Sequence, residues 1–398
     1  MTAIVVFKPS GKVVEVEVGT LLSDAAVQAG LPLNLPCGGQ GRCGRCRVKI
    51  EHGAISHRSG ARLSSAEREE GWALGCQAVI KGDAIVHVPE QEAVEVEFIT
   101  KTVGAERVAL AAEFAGEVDP SVRRFHLVIE PPSLDDQTTD WDRLERELSL
   151  QHDITNVTAD LAMLRTLSRD LRDAEWDVTA VLDMGDPLLN SCAQPRLIDL
   201  LPGEQTRRCY GVAIDIGTTS NVVYLVDLRQ GKVVDRASAY NAQIQAGEDV
   251  ISRIVFSQKR DGLERLQKLV LKTINGLLDE LTTRHEIEPR QISKAVVAGN
   301  TTMIQLFLAL DPKYLREMPF IPTLSQHLPV TAETIGLNIN PQATIDCLPV
   351  VGAYVGADIT AGVLAAGMYD TDKLTLFIDV GTNGEIVLGN RDWLITCA

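Results

Sequence analysis

Long apolar runs are missing from this chain, which nowhere approaches the ~18–20 consecutive apolar residues of a membrane-spanning helix. The opening stretch, Met1 to Lys8, has neither the basic start nor the long apolar centre of a secretory signal, so a cytoplasmic location is the expectation. Positive charge is also scarce. Against 54 Asp+Glu stand 38 Lys+Arg, a net charge of −16. That argues against a nucleic-acid binder, because phosphate recognition depends on clustered Lys and Arg. What is present is ordinary soluble composition, 45% hydrophobic and 23% charged, which excludes a disordered tail, a fibrous repeat and a membrane protein. A chain of 398 residues is too long for one ordinary domain and sufficient for two or three.

The acidity is unevenly placed. Residues 1–94 hold 10 basic and 10 acidic side chains, residues 95–206 hold 10 and 23, and residues 207–398 hold 18 and 21. Three compositional units follow, with expected boundaries of 1–94, a linker over 95–125, an acidic middle domain over 126–206, and a final domain over 207–398. An acidic segment commonly serves solubility; a docking surface for a basic partner is the sharper alternative.

Eight cysteines in a cytosolic protein do not read as disulfides. Cys192, Cys209, Cys347 and Cys397 are scattered and read as ordinary thiols. The other four gather near the N-terminus: Cys37, Cys43 and Cys46 form a C-x5-C-x2-C run, and Cys76 follows well downstream. Around them, residues 2–8 and 12–18 form a hairpin through Pro9-Ser10-Gly11. Thr20 or Ser23 caps a short helix stopped by Gly30, and Ser64 to Glu67 reads as a capping box. Zinc is the rival ligand. Structural zinc sites favour two close cysteine pairs, and here only Cys43 and Cys46 form one. Three cysteines on a glycine-rich loop plus one distant partner match plant-type ferredoxin spacing, one residue longer in the first gap. Gly38, Gly39, Gly41 and Gly44 let the backbone wrap a [2Fe–2S] cluster and aim N–H groups at its sulfides.

The middle unit offers a strand from Phe125 to Glu130, acidic helices near 141–150 and 158–172, and no catalytic motif. Asp183-Met184-Gly185-Asp186-Pro187 reads as a turn and not as a metal loop. Regular order is expected to resume only after Pro202-Gly203. From Tyr210 a buried strand delivers Asp215 into Gly217-Thr218-Thr219-Ser220, and a second strand leaves it. Such a turn suits phosphate: Gly217 allows close approach, backbone N–H and hydroxyl groups meet phosphate oxygens, and the carboxylate holds Mg²⁺ through water. One such loop is weak evidence. The unit recurs near the end of the chain as Asp379-Val380-Gly381-Thr382-Asn383-Gly384-Glu385, implying two similar subdomains that grip one polyphosphate across a cleft. Gly299, Asn300 and Thr301 form a further strand-to-helix turn suited to an anion. Val355-Gly356-Ala357-Asp358 opens a small-residue helix that either lines this cleft or simply packs closely.

These paired loops resemble the acetate-and-sugar-kinase, heat-shock-chaperone and actin superfamily, and the cysteine loop is similar to the β-grasp ferredoxins. Their order along the whole chain resembles the reductive activators of corrinoid-dependent methyltransferases. The resemblance implies an α+β and α/β multidomain fold: a β-grasp [2Fe–2S] ferredoxin domain, a small acidic middle domain and an RNase H-like, actin-like ATPase domain. It implies cluster ligation by Cys37, Cys43, Cys46 and Cys76. It also implies contact with ATP and Mg²⁺ by Asp215, Gly217, Thr218, Thr219 and Ser220 and by Asp379, Gly381, Thr382, Asn383, Gly384 and Glu385. The implied function is ATP-dependent electron transfer to Co(II) of a corrinoid protein of a methyltransferase system, regenerating Co(I). A low-potential electron donor is implied as well, no nucleic acid or membrane partner is, and a homodimer stays open. A plain ferredoxin-like carrier with a docking module and an ATP-driven reductase of another redox enzyme are the alternatives. One departure stands out. The sequence runs only from Asp379 to Ala398 after the second loop begins, so the second subdomain is expected to be incomplete. A weak ATP site, and a loose or poorly soluble region beyond about Leu374, are the corresponding expectations.

Overall fold

The computed structural model describes residues 2–31, 33, 35, 39, 41, 43–58, 62–89, 118–185, 194–326, 329–381 and 384–398. The N-terminal unit comprises β1 (Thr2–Lys8), β2 (Lys12–Glu17), α1 (Leu22–Gln28), β3 (Arg47–His57), α2 (Ser65–Glu69), β4 (Trp72–Leu74) and β5 (Ala78–His87). β1 and β2 pair as the expected hairpin, with Val5 opposite Val14, and β1 then runs parallel to β5. The sheet order is β2-β1-β5-β3-β4. Alternation sends Val5 and Phe7 inward, where Leu22, Ala25 and Ala26 of α1 meet them. The capping box of Ser64 and Glu67 is present. The cap expected at Thr20 or Ser23 is not. Leu21 occupies that position without a side-chain hydrogen bond, and its β-bridge to Val79 fixes the helix entry instead.

The middle unit comprises β6 (Val122–Val128), α3 (Asp140–His152), β7 (Thr158–Ala159), α4 (Leu161–Asp173), β8 (Asp177–Asp183) and β9 (Arg196–Pro202), in sheet order β6-β8-β9-β7. β6 begins ahead of Phe125, inside the segment read as linker, because its ladder with β8 starts at Val122 opposite Asp183. β8 and β9 correct the expectation that order resumes only after Pro202. Both are short apolar runs buried on both faces, so no alternation announces them. Leu144, Leu148, Leu167 and Leu171 of the helices cover one face of the sheet. Val122, Val181, Ile198 and Leu201 cover the other face, against Cys209 and Leu228.

The third unit begins with β10 (Tyr210–Ile216), β11 (Ser220–Asp227), β12 (Lys232–Tyr240), α5 (Val250–Ser257) and α6 (Gly262–Arg284). It continues with β13 (Ile292–Gly299), α7 (Thr301–Phe307), β14 (Val330–Thr331), α8 (Ala332–Ile335), β15 (Thr344–Cys347) and α9 (Ala357–Ala365). Its sheet order is β12-β11-β10-β13-β15-β14, with β10, β13 and β15 parallel. Leu266, Val270, Ile274, Leu277 and Leu281 give α6 one apolar stripe, which packs on that sheet. Finally β16 (Thr375–Val380), β17 (Gly384–Asn390) and β18 (Trp393–Cys397) form a three-stranded antiparallel sheet. The stretch beyond Leu374, expected to be loose, is thus strand over most of its length. Its outer face nevertheless exposes Leu376, Ile378, Val380, Ile386 and Ile395. Among the described residues no helix is long and apolar enough to cross a membrane.

Candidate cluster site and phosphate-loop cleft

Of the four cysteines, Cys37 lies outside the described residues. Cys46 and Cys76 are buried with their sulfurs 3.3 Å apart, and Cys43 is exposed beside them. The structure thereby brings β3's entry and β5's entry, distant in sequence, to one point. Donation from the Cys46 thiol holds Cys76 down at about 6, assisted by the Gln77 amide, the Gly41 backbone and the Lys259 ammonium. The same contact, together with burial, pushes Cys46 up. Gly39, Gly41 and Gly44 have φ of +83°, +72° and +74°, the left-handed turns that a loop wrapping a compact group requires. Gln77 Nε2 donates to Gly39 O at 2.7 Å and lies 3.6 Å from Cys76 Sγ. Soft thiolates on such a loop, with N–H donors around them, fit an iron–sulfur cluster. Among the described residues no three metal-binding side chains converge.

In the third unit the loop after β10 is held by its carbonyls. Gly217 N donates to Ser220 O at 3.0 Å, and a Cβ at Gly217 would sit 2.4 Å from that oxygen, so only glycine closes this turn. Asn241 Nδ2 donates to Gly217 O at 2.9 Å and Asn241 N to Thr219 O at 2.9 Å. Buried Arg253 of α5 donates to Thr218 O, to Gly247 O at 2.9 Å and to Gln243 Oε1 at 3.1 Å. Asn300 spans two roles: Oδ1 caps α7 at Met303 N, and Nδ2 donates 3.0 Å to Thr218 Oγ1. Thr301 is buried and donates to Gly352 O at 2.6 Å, so its hydroxyl is engaged within the protein.

Asp215, Asp358, Asp379 and Glu385 lie within electrostatic reach of one another around these loops. Asp215, next to last in β10, is solvent-accessible, and it is pushed up to about 6 by partial desolvation and by Asp358 and Asp379. Asp358 and Glu385 are raised by burial and by the same neighbours. Asp358 is not among the residues that the sequence singles out for phosphate, since its helix α9 reads equally well as simple packing. Close packing is what brings it in. A Cβ at Gly356 would lie 2.5 Å from Asn300 Cα, and one at Gly362 would lie 2.3 Å from Phe377 Cζ, so α9 wedges between the loop after β13 and β16. Gly381 and Gly384 flank the loop between β16 and β17; Thr382 and Asn383 lie outside the described residues. A cation relieves the mutual repulsion of these carboxylates, and Mg²⁺ with a polyphosphate has the matching chemistry.

Asp183, the first residue of the stretch read as a turn, ends β8 and accepts from Gly185 N at 3.1 Å, while Asp186 and Pro187 lie outside the described residues. Asp183 is nearly fully buried, accepts from Thr344 Oγ1 and lies 3.4 Å from Lys294 Nζ. Asp199 of β9 likewise accepts from Arg290 and, at 2.8 Å, from Asn340 Nδ2. These carboxylates lock the middle unit to the third, a role that no local sequence pattern announces.

Fold and sites together define a class: a ferredoxin-type [2Fe–2S] unit and an actin-like phosphate-loop unit in one chain. Four family signatures match in succession. They are the 2Fe-2S iron-sulfur cluster binding domain over residues 6–81, the RACo linker region over 111–207, the RACo middle region over 210–371, and the C-terminal domain of RACo, the ASKHA domain, over 373–398. The chain belongs to the RACo family. It is 30% identical over 381 residues to the corrinoid activation enzyme RamQ of Eubacterium limosum, covering 95% of this chain and 58% of that protein. It is 37% identical to a solved reductive activator for corrinoid, iron-sulfur protein, with a TM-score of 0.64, covering 99% of this chain and 62% of that one. Over 87 residues it is 35% identical to a component of the Na(+)-translocating NADH-quinone reductase of Actinobacillus succinogenes, 20% of each chain. The chain thus spans about three-fifths of the two relatives it matches along its length.

Proposed function

We propose that this chain takes part in ATP-dependent reductive activation of a corrinoid protein, passing one electron from a [2Fe–2S] cluster to Co(II) and restoring Co(I). The observation that carries the reading is the union, in one chain, of a paired-thiol loop with two phosphate-type loops whose carboxylates interact. The activities named for the two relatives that match along most of the chain agree with it. When bound, the cluster supplies one-electron chemistry at about −400 mV. Cys37, Cys43, Cys46 and Cys76 hold it, and the glycine turns bring backbone donors to it. Asp215, Gly217, Thr218, Thr219 and Ser220 face one side of the nucleotide phosphates and Mg²⁺. Gly299, Asn300 and Thr301 buttress the middle of the cleft. Asp379, Gly381, Thr382, Asn383, Gly384 and Glu385 face the other side.

A low-potential donor must refill the cluster, and transfer to a still lower cobalt couple is uphill by a factor of ten per ~59 mV. Nucleotide binding is the means by which this chain offsets that gradient. The deciding experiment follows the Co(II)-to-Co(I) absorbance change of a corrinoid protein with cluster-loaded chain and a chemical reductant, with and without Mg·ATP. ATP-dependent Co(I) formation is expected. Reduction at equal rates without ATP would leave a plain ferredoxin-like carrier, and no reduction at all would point to another redox acceptor.

A further inference from the structure

The cluster loop does not stand alone: a cation from the third unit reaches it. Lys259 lies just past α5, and its Nζ would be 2.6 Å from a Cβ placed at Gly39, while Cys76 Cβ would be 3.7 Å from the same point. The ammonium and the Cys76 Cβ are therefore no farther apart than those two lengths laid end to end. The lysine is held in place. Its Nζ sits 4.9 Å from the centroid of the Phe256 ring, its N–H donates to Phe256 O at 3.0 Å, and its carbonyl accepts from Gly262 N at 2.9 Å. α5 is in turn fixed by buried Arg253, which grips Thr218 O of the phosphate loop. Among the described residues no carboxylate pairs with Lys259. Two further contacts dock the same faces: Leu35 N donates to Gln245 O at 3.2 Å, and Arg45 pairs with Glu248 at 3.3 Å.

We propose that Lys259 is a positioning residue for electron transfer: supplied by the nucleotide-binding unit, its charge sets the reduction potential of the cluster carried by the N-terminal unit. A reduced [2Fe–2S] cluster carries one more negative charge than the oxidised one. A cation held at its edge stabilises the reduced form and raises the potential. While the two units are docked the cluster accepts an electron more readily. When Lys259 withdraws, the same electron sits at a lower potential and is more strongly reducing. The third unit therefore alters the driving force of the cluster without touching iron. The inference rests on the cluster assignment and not on the identity of the electron acceptor.

The test is a redox titration of the full cluster-loaded chain, monitored by the EPR signal of the reduced cluster, for wild type, Lys259→Gln, Lys259→Glu and Lys259→Arg. Iron and sulfide content and a thermal melt establish first that each variant is folded and loaded. Lys259→Gln should shift the reduction equilibrium toward the oxidised form by up to about tenfold, which is 59 mV for one electron. Lys259→Glu should shift it further, and Lys259→Arg should stay near wild type. If Gln impairs loading, Lys259→Met is titrated in its place. Unchanged potentials in fully loaded Gln and Glu variants would overturn the proposal. They would leave the corrinoid reading intact, since that is tested by Co(I) formation.

Discussion

At Cys46 and Cys76 two demands meet, burial of sulfur and readiness to become thiolate. The 3.3 Å contact between them satisfies both by sharing one proton within the pair. Protein prepared without oxygen should contain about two irons and two sulfides per chain, and Cys46→Ser should abolish or strongly perturb the visible absorption of the cluster. Stoichiometric zinc in place of iron would contradict this. Asp215 makes a second case at the residue scale. Its folded pKa of about 6 lies above its ordinary 3.8, so folding opposes its ionisation. The stability associated with this group is fully present below pH 3.8 and is lost as pH rises through about 6. Asp215→Asn should therefore raise the Tm of the metal-free protein at pH 7.5 and have much less effect at pH 4.5. An equal gain at both pH values would show that charge is not the cause.

Among the elements, α5 has the greatest reach for its length. Its capping box at Asp249 and Ser252 starts it, and its buried face carries Ile254 and Phe256 into the core. Arg253, on the same face, is fully buried and brought down to about 10 by desolvation. Its guanidinium remains charged and serves three acceptors, one in the loop after β10 and two in the stretch between β12 and α5. Arg253→Met would leave Thr218 O, Gly247 O and Gln243 Oε1 without that donor, at a cost of ~2–4 kcal/mol in total. Urea unfolding measures it. Arg260→Met, on a side chain that is 97% exposed, is the control and should change stability by less than about 0.5 kcal/mol.

For the whole molecule, the interfaces differ in kind. The middle and third units share buried carboxylates on Asp183 and Asp199 and an apolar seam around Leu228. Among the described residues, the contacts of the cluster unit with the third include the Leu35–Gln245 backbone hydrogen bond, the partly exposed Arg45–Glu248 pair and Lys259. Exposed ion pairs contribute little, whereas a buried carboxylate stripped of its donors is costly. Asp199→Ala should cost ~1–3 kcal/mol, because Arg290 and Asn340 lose their acceptor. In calorimetry it should separate the melting of the middle unit from that of the third. A single unshifted transition would show that the apolar seam alone joins them.

What is legible in the sequence is local. The cysteine spacing, the β1–β2 hairpin, the box at Ser64 and Glu67, and the two Asp-x-Gly-Thr loops at Asp215 and Asp379 all use contiguous residues whose backbone needs show in residue type. β8 and β9 escape because a strand buried on both faces carries no period. The leading cap of α1 is misplaced because a bridge to Val79 takes over its work.

The sequence by itself therefore determined the chemistry on offer: thiolates on a glycine loop, and carboxylates at two phosphate turns. Only the tertiary structure decided which distant groups serve them. Asp358 joins Asp215 because glycine-to-backbone contacts wedge α9 into place. Arg253 anchors Thr218 from a separate helix, and Lys259 reaches Gly39 from another unit altogether. Such pairings depend on where helices end once their apolar faces are buried. That is a property of packing, set by the whole core and carried by no short stretch of chain.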